Sequence, residues 1–150
     1  MTKFMREHPK LAGKIAETAI GALPKKDGVP DPYLLARLVK AAVHLIYAEF
    51  PEMRLEIQPI VLAGIEALRG ADGQIDPRSV AIILSSALPE IVANDPALLD
   101  PLIKAVLALV PDAAGIVYQL VADLLTPLGL RNAMLGRRSM QVEPAFVASP

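Results

Sequence analysis

The sequence contains no cysteine and no tryptophan, and only 4% of its 150 residues are aromatic. Without thiols there is no disulfide framework and no thiolate metal site. So few rings leave little for a base or sugar to stack on, and few of the large anchors that dominate tight interfaces. Charge is sparse as well. Charged residues make up 21% of the chain and the net charge is −1, which lacks the basic excess of a nucleic-acid binder. Long apolar runs are also missing: the longest uncharged stretch is Ser79–Pro89, eleven residues, against the roughly 20 that a membrane span needs. Met1–Lys10 carries three basic residues, but Lys14 and Glu17 interrupt any apolar segment behind it. No secretory signal is expected, and the protein is placed in the cytoplasm or within a particle.

What is present is aliphatic. Apolar residues make up 53% of the chain, and at this length a fold buries roughly 70% of the surface its unfolded chain exposes, so a full core needs no covalent staple. Fourteen prolines punctuate the sequence, and four of them follow an aspartate: Asp31-Pro32, Asp76-Pro77, Asp95-Pro96 and Asp100-Pro101. Aspartate accepts from the free N–H groups of a first helical turn, and proline has the right φ and no N–H to waste there. Each pair therefore predicts a helix start. Pro51, Pro89 and Pro127 fall where the preceding helices should stop. The spacing predicts helices near 9–23, 32–49, 56–69, 77–88, 101–110 and 111–126, with a short turn around 96–99, Pro59 in a first turn and Gly70 as a left-handed cap. No stretch alternates as a strand does, so essentially no sheet is expected.

Shifted by 45 residues, Ile15–Ala42 matches Ile60–Ala87 without a gap, with ten identities in 28 positions. The motif Asp-Gly-x-x-Asp-Pro recurs intact, as Asp27, Gly28 and Asp31 in one copy and Asp72, Gly73 and Asp76 in the other. Each copy is a helix, a tight loop and a second helix, and two such units bury their apolar faces by pairing. In outline this resembles a paired helix-loop-helix of EF-hand type. The ligand set of that family does not follow, because with Gly73 at the sharp-turn position the first, third and last ligands fall on Leu68, Gly70 and Ser79, and in the other copy on Leu23, Lys25 and Leu34. A calcium site needs about six to eight oxygens, and these loops read instead as turns with helix caps.

Chemistry is hard to find elsewhere. The five serines lie outside any Gly-x-Ser-x-Gly, and no glycine-rich loop leads into a lysine that would cradle phosphate. His44 falls with Arg37, Lys40 and Tyr47 on one helix face, opposite Leu38, Val39, Ala42 and Leu45, which reads as a solvated stripe. No catalytic residue, cofactor or metal is predicted. The aspartates of the two loops would form a carboxylate cluster only if the loops pair.

Surfaces say more. The helix at 101–110 is apolar nearly all round, so either it is the central helix or a partner covers it. The run through Ile82 and Ile83 raises the same question, as do Val106 and Leu107, and the stripe Val117, Leu120, Val121 and Leu124 on the next helix. Charge is uneven: residues 1–40 hold eight basic and four acidic side chains, residues 79–130 one and five, and residues 131–150 three and one. The last segment loses its helical period and is read as a tail or an arm that docks Met140 and Phe146 on a neighbour.

The chain is therefore expected to be an all-α, compact bundle of six or seven short helices built on a duplicated helix-loop-helix. Residues 1–130 form one helical domain, with repeat units near 9–50 and 56–94 and an apolar pair at 101–126, and 131–150 form a C-terminal extended arm. The leading functional reading is a non-catalytic structural protein that self-associates or binds a protein partner through aliphatic helix faces, such as a small subunit of a viral or bacterial particle. Two alternatives come from other classes: a membrane-active protein inserting 101–130 as a hairpin, and a small enzyme or metal protein using the paired aspartate loops.

Overall fold

The computed structural model describes residues 11–125, and the predicted arm with Met140 and Phe146 lies outside them. The chain is mostly helical. In order it forms α1 (Leu11–Gly21), a hairpin of β1 (Lys25–Lys26) and β2 (Val29–Pro30), α2 (Pro32–Glu49), a 3-10 turn (Pro51–Glu56), α3 (Ile57–Glu66), α4 (Pro77–Asn94), a 3-10 turn (Pro96–Leu98), α5 (Leu99–Leu109), a 3-10 turn (Pro111–Ala113) and α6 (Ala114–Leu124).

The two long helices begin as their sequences dictate. Asp31 Oδ1 accepts from the Tyr33 N–H at 2.9 Å and Asp76 Oδ1 from the Arg78 N–H at 3.1 Å, with Pro32 and Pro77 in the first turn. Of the other two Asp-Pro pairs, Asp95-Pro96 opens the expected short turn, the 3-10 helix Pro96–Leu98, but without a side-chain cap bond. Asp95 also closes α4. Asp100 sits inside the first turn of α5, where it pairs with Lys104 at 3.0 Å. The Pro96–Leu98 turn feeds directly into α5, so Asp100-Pro101 falls just inside that helix rather than ahead of it. Pro89 does not stop α4 but lies within it. Proline removes a backbone bond and crowds the preceding turn, yet Leu88, Ile91, Val92 and Ala93 around it are buried, and their burial carries the helix on to Asn94.

Sheet is nearly absent, with one exception. Lys25 pairs with Pro30 and Lys26 with Val29 across Asp27 and Gly28, whose φ values of 56° and 82° are both positive. Two such residues make a two-residue turn of type I′, for which Asp-Gly is a favoured pair. The second loop closes by a single bridge between Arg69 and Ile75, with Gly73 at φ 80°. Gly70 is not a left-handed cap. Its N–H donates to the Gln74 carbonyl at 2.8 Å instead, inside that loop.

Helix α4 is the centre of the fold. It buries Val80, Ile83, Leu84, Ala87, Leu88, Ile91, Val92 and Ala93, and packs along α2, which buries Leu35, Ala36, Val39, Val43 and Ile46. Helix α3 closes on the pair so tightly at Gly64 that a Cβ there would lie 2.7 Å from Val39 Cγ2. No polar or charged residue among those described is buried. Helix α5, read as either central or covered by a partner, is not central: it buries only Leu102, Ile103 and Val106, and α6 buries only Val117. Both are peripheral helices with apolar surface left over.

Candidate functional site

The aspartate loops are each bridged within themselves. Their carboxylates are used locally: Asp31 and Asp76 cap helices, and Asp72 Oδ1 accepts from the Gln74 N–H at 2.9 Å. Among the described residues no three His, Cys, Asp or Glu side chains are grouped to hold a metal.

The polar face of α2 is only partly as expected. Arg37, Lys40 and His44 are exposed, and His44 Nδ1 lies 3.0 Å from Glu90 Oε1, linking α2 to α4. Tyr47 turns inward. Its ring packs on the core and its hydroxyl is buried with no hydrogen-bond partner. Burial, reinforced by Asp95, pushes the phenol up from 10.0 to about 12, with Arg54 opposing the rise. The phenol therefore keeps its proton throughout the neutral pH range.

The predicted interface residues divide into two groups. Ile83, Val106 and Val117 are fully buried within the chain and belong to the core, because the inner face of each helix is already covered by its neighbours. Ile82, Leu107, Leu120, Val121 and Leu124 are half-buried against that core. Around the last three, Ile116, Tyr118 and Leu125 are exposed, at 37%, 60% and 43%. Helix α6 thus carries an apolar arc wider than the strip its neighbours cover.

The most developed apolar surface lies elsewhere. Helices α1 and α2 diverge to leave an open groove of about 260 Å³, floored by Ala16, Ile46, Met53 and Ile60 and walled by Ile15, Ala19, Leu38, Ala42, Leu45 and Phe50. Every lining side chain is apolar. Ile15 and Leu45, on opposite walls, are 49% and 48% exposed although both are large and aliphatic. Leu45 belongs to a second stripe on α2, Leu34, Leu38, Ala41, Leu45 and Ala48, which is exposed or half-buried along its length. Its 4-3-4-3 spacing is that of a seam that receives another helix. The spacing is legible in the sequence, but the adjoining stripe through Leu35, Val39, Val43 and Ile46 is equally aliphatic. Only the packing decides which stripe goes inside.

No described helix is long and apolar enough to cross a membrane. At about 1.5 Å per residue, the eleven residues of α5 or of α6 extend to only about half of a roughly 30 Å hydrocarbon core. No known protein family matches the chain, and neither does a curated protein or a solved structure.

Proposed function

We propose that this protein is a non-catalytic assembly subunit that self-associates through its aliphatic helix faces, in the cytoplasm or within a multiprotein particle. The observation that carries this reading is the groove between α1 and α2: eleven apolar side chains line it, with Ile15, Ala41 and Leu45 exposed and no polar side chain among them to serve a small polar ligand or a reaction. Exposed apolar surface is costly to leave in water, and contact with another chain is one way to cover it. The half-covered arc of α6 supplies a second such surface.

The duplicated helix-loop-helix is part of the same reading. In its support, α2 and α4 each run 18 residues and start 45 positions apart, and their caps and positive-φ glycines keep that offset. In such a duplication the second long helix has become the centre of the core, and the first keeps an outward seam.

Native mass measured across concentration tests the proposal. The wild-type chain is expected to sediment above its 16.0 kDa monomer mass, and Leu45→Asp, which places a charge on the groove wall, is expected to return it to the monomer with unchanged helical circular dichroism. A wild-type chain that stays monomeric at every concentration contradicts the proposal.

A further inference from the structure

One mouth of the groove lies where α1 begins and α2 ends. Helix α1 touches the Pro51–Glu56 turn, and a Cβ on Gly13 would lie 2.8 Å from Glu56 Oε1. Phe50 and Met53, which line the groove, belong to the same corner, so the chain before Leu11 joins the fold at this mouth. The mouth is acidic. At about 100° per residue, Glu49 falls on the face of α2 that carries Leu38, Ala42 and Leu45, so a carboxylate continues the lining stripe. Glu52, beside Met53, and Glu56 add two more. Arg54 is the cation of that turn, and it acts on Tyr47, about 200° round α2 from Leu45. The last turn of α2 has no basic residue to offset its carbonyls. Lys40 stands on the opposite face of α2, and Lys14 on the face of α1 away from Ile15, Ala16 and Ala19.

We infer that residues 1–10 of the same chain fold back over this mouth, with Phe4 and Met5 on the lining beside Leu45 and Phe50, and Lys3 and Arg6 among Glu49, Glu52 and Glu56. The segment has both properties the mouth calls for. It holds two adjacent large apolar side chains, and three cations against one acid, a net +2 (Lys3, Arg6 and Lys10 less Glu7). Unlike charge around an apolar centre decides which surfaces meet. Its reach suffices: Phe4 lies seven residues from Leu11, up to about 23 Å of extended chain, against about 18 Å of helix from Leu38 to Phe50. The segment after α6 starts from a helix whose main neighbour is α4, and the shorter tether gives residues 1–10 the higher effective concentration at the groove. The segment and a second copy of the chain then compete for one lining. That consequence rests on the self-association proposed above, whereas the docking does not.

A single thiol at the mouth of the full-length chain tests this. Leu45→Cys places it one turn from Glu49, and its alkylation by N-ethylmaleimide is followed at a dilution where the chain is monomeric. Adding Phe4→Asp is expected to raise the rate about tenfold. Lys3→Glu with Arg6→Glu is expected to do the same, and Glu49→Lys with Glu52→Lys to reverse that second rise. Circular dichroism with urea titration checks that each variant folds as its parent does. In the chain that keeps Leu45, Phe4→Asp is expected to lower the concentration at which assembly begins, also about tenfold. An alkylation rate that Phe4→Asp leaves unchanged overturns the inference. If Phe146→Asp raises the rate in its place, the segment after α6 is the occupant and the inference fails. Unchanged assembly overturns the competition alone. A wild-type chain that is monomeric at every concentration overturns the self-association, while the docking is still decided by the alkylation of the monomer.

Discussion

Helices α4 and α6 are both aliphatic, and a helical wheel gives each a broad apolar arc, yet α4 buries eight residues and α6 one. The difference comes from position, not composition. Helix α4 lies between α2 and the α6 end of the molecule, with α3 also against it, so almost any outward apolar residue meets a neighbour. Helix α6 touches α4 and the turn that leads into it. Ile116 and Tyr118 on it and Leu125 at its end stay exposed, as do Leu34 and Leu45 on the outer seam of α2. The same residue types therefore hold the fold together in one place and project from it in another.

This contrast can be broken by paired substitutions. The largest effect is expected at the centre: Leu84→Ala, at a fully buried side chain of α4, should cost about 3 kcal/mol in urea unfolding. Leu120→Ala on α6, half-buried, should cost under about 1.5 kcal/mol. Equal losses would mean that α6 is as deeply packed as α4. Glycine offers a change of sign. Gly64→Ala drives a methyl to within 2.7 Å of the buried Val39 Cγ2, and the resulting overpacking, of about 1–3 kcal/mol, should outweigh a helix-propensity gain of about 1 kcal/mol. Gly115 of α6 has nothing within 4 Å of an added Cβ, so Gly115→Ala should stabilise by a few tenths to about 1 kcal/mol. The two melting temperatures should move in opposite directions.

Caps give a smaller contrast. Asp76→Ala removes the acceptor that serves the Arg78 N–H at the start of α4 and should cost about 1 kcal/mol. Helix α6 has no side-chain cap, so Asp112→Ala should leave thermal stability almost unchanged. The smallest effect belongs to Tyr47, whose phenol lies between α2 and the end of α4. The folded state holds the phenolic proton more tightly than the unfolded chain, up to about 12 against 10.0. Its contribution is complete below pH 10 and is lost as pH climbs through about 12. Tyr47→Phe should flatten that alkaline limb. At neutral pH it should be neutral or slightly stabilising, because it deletes a buried hydroxyl that has no partner.

Much of the helical layout could be read because its causes are local. Asp31 and Asp76 act on N–H groups two residues away, so the starts of α2 and α4 follow from four residues each. Pro51 likewise marks the end of α2. Reading failed where a non-local term outweighed a local one. Burial on both sides carries α4 through Pro89. Asp100 carries the same dipeptide as the two real caps, but the turn that begins at Pro96 runs straight into α5 and leaves it no helix to begin. The Asp27-Gly28 hairpin was legible as a turn, but as a strand pair of two residues each it has too little sequence to show alternation. The groove was the hardest feature to foresee. Two aliphatic stripes run side by side on α2, and which one faces outward depends on where α1, α3 and α4 lie, which no residue of α2 encodes alone.

The absence of cysteine makes the groove directly measurable. Ala41 is exposed and lines the groove, so Ala41→Cys introduces a single thiol there whose alkylation rate reports whether the site is open. If the groove is a contact between copies of the chain, that rate falls as protein concentration rises, and the loss is reversed when Leu45→Asp is added. A rate that is the same at every concentration would contradict the account.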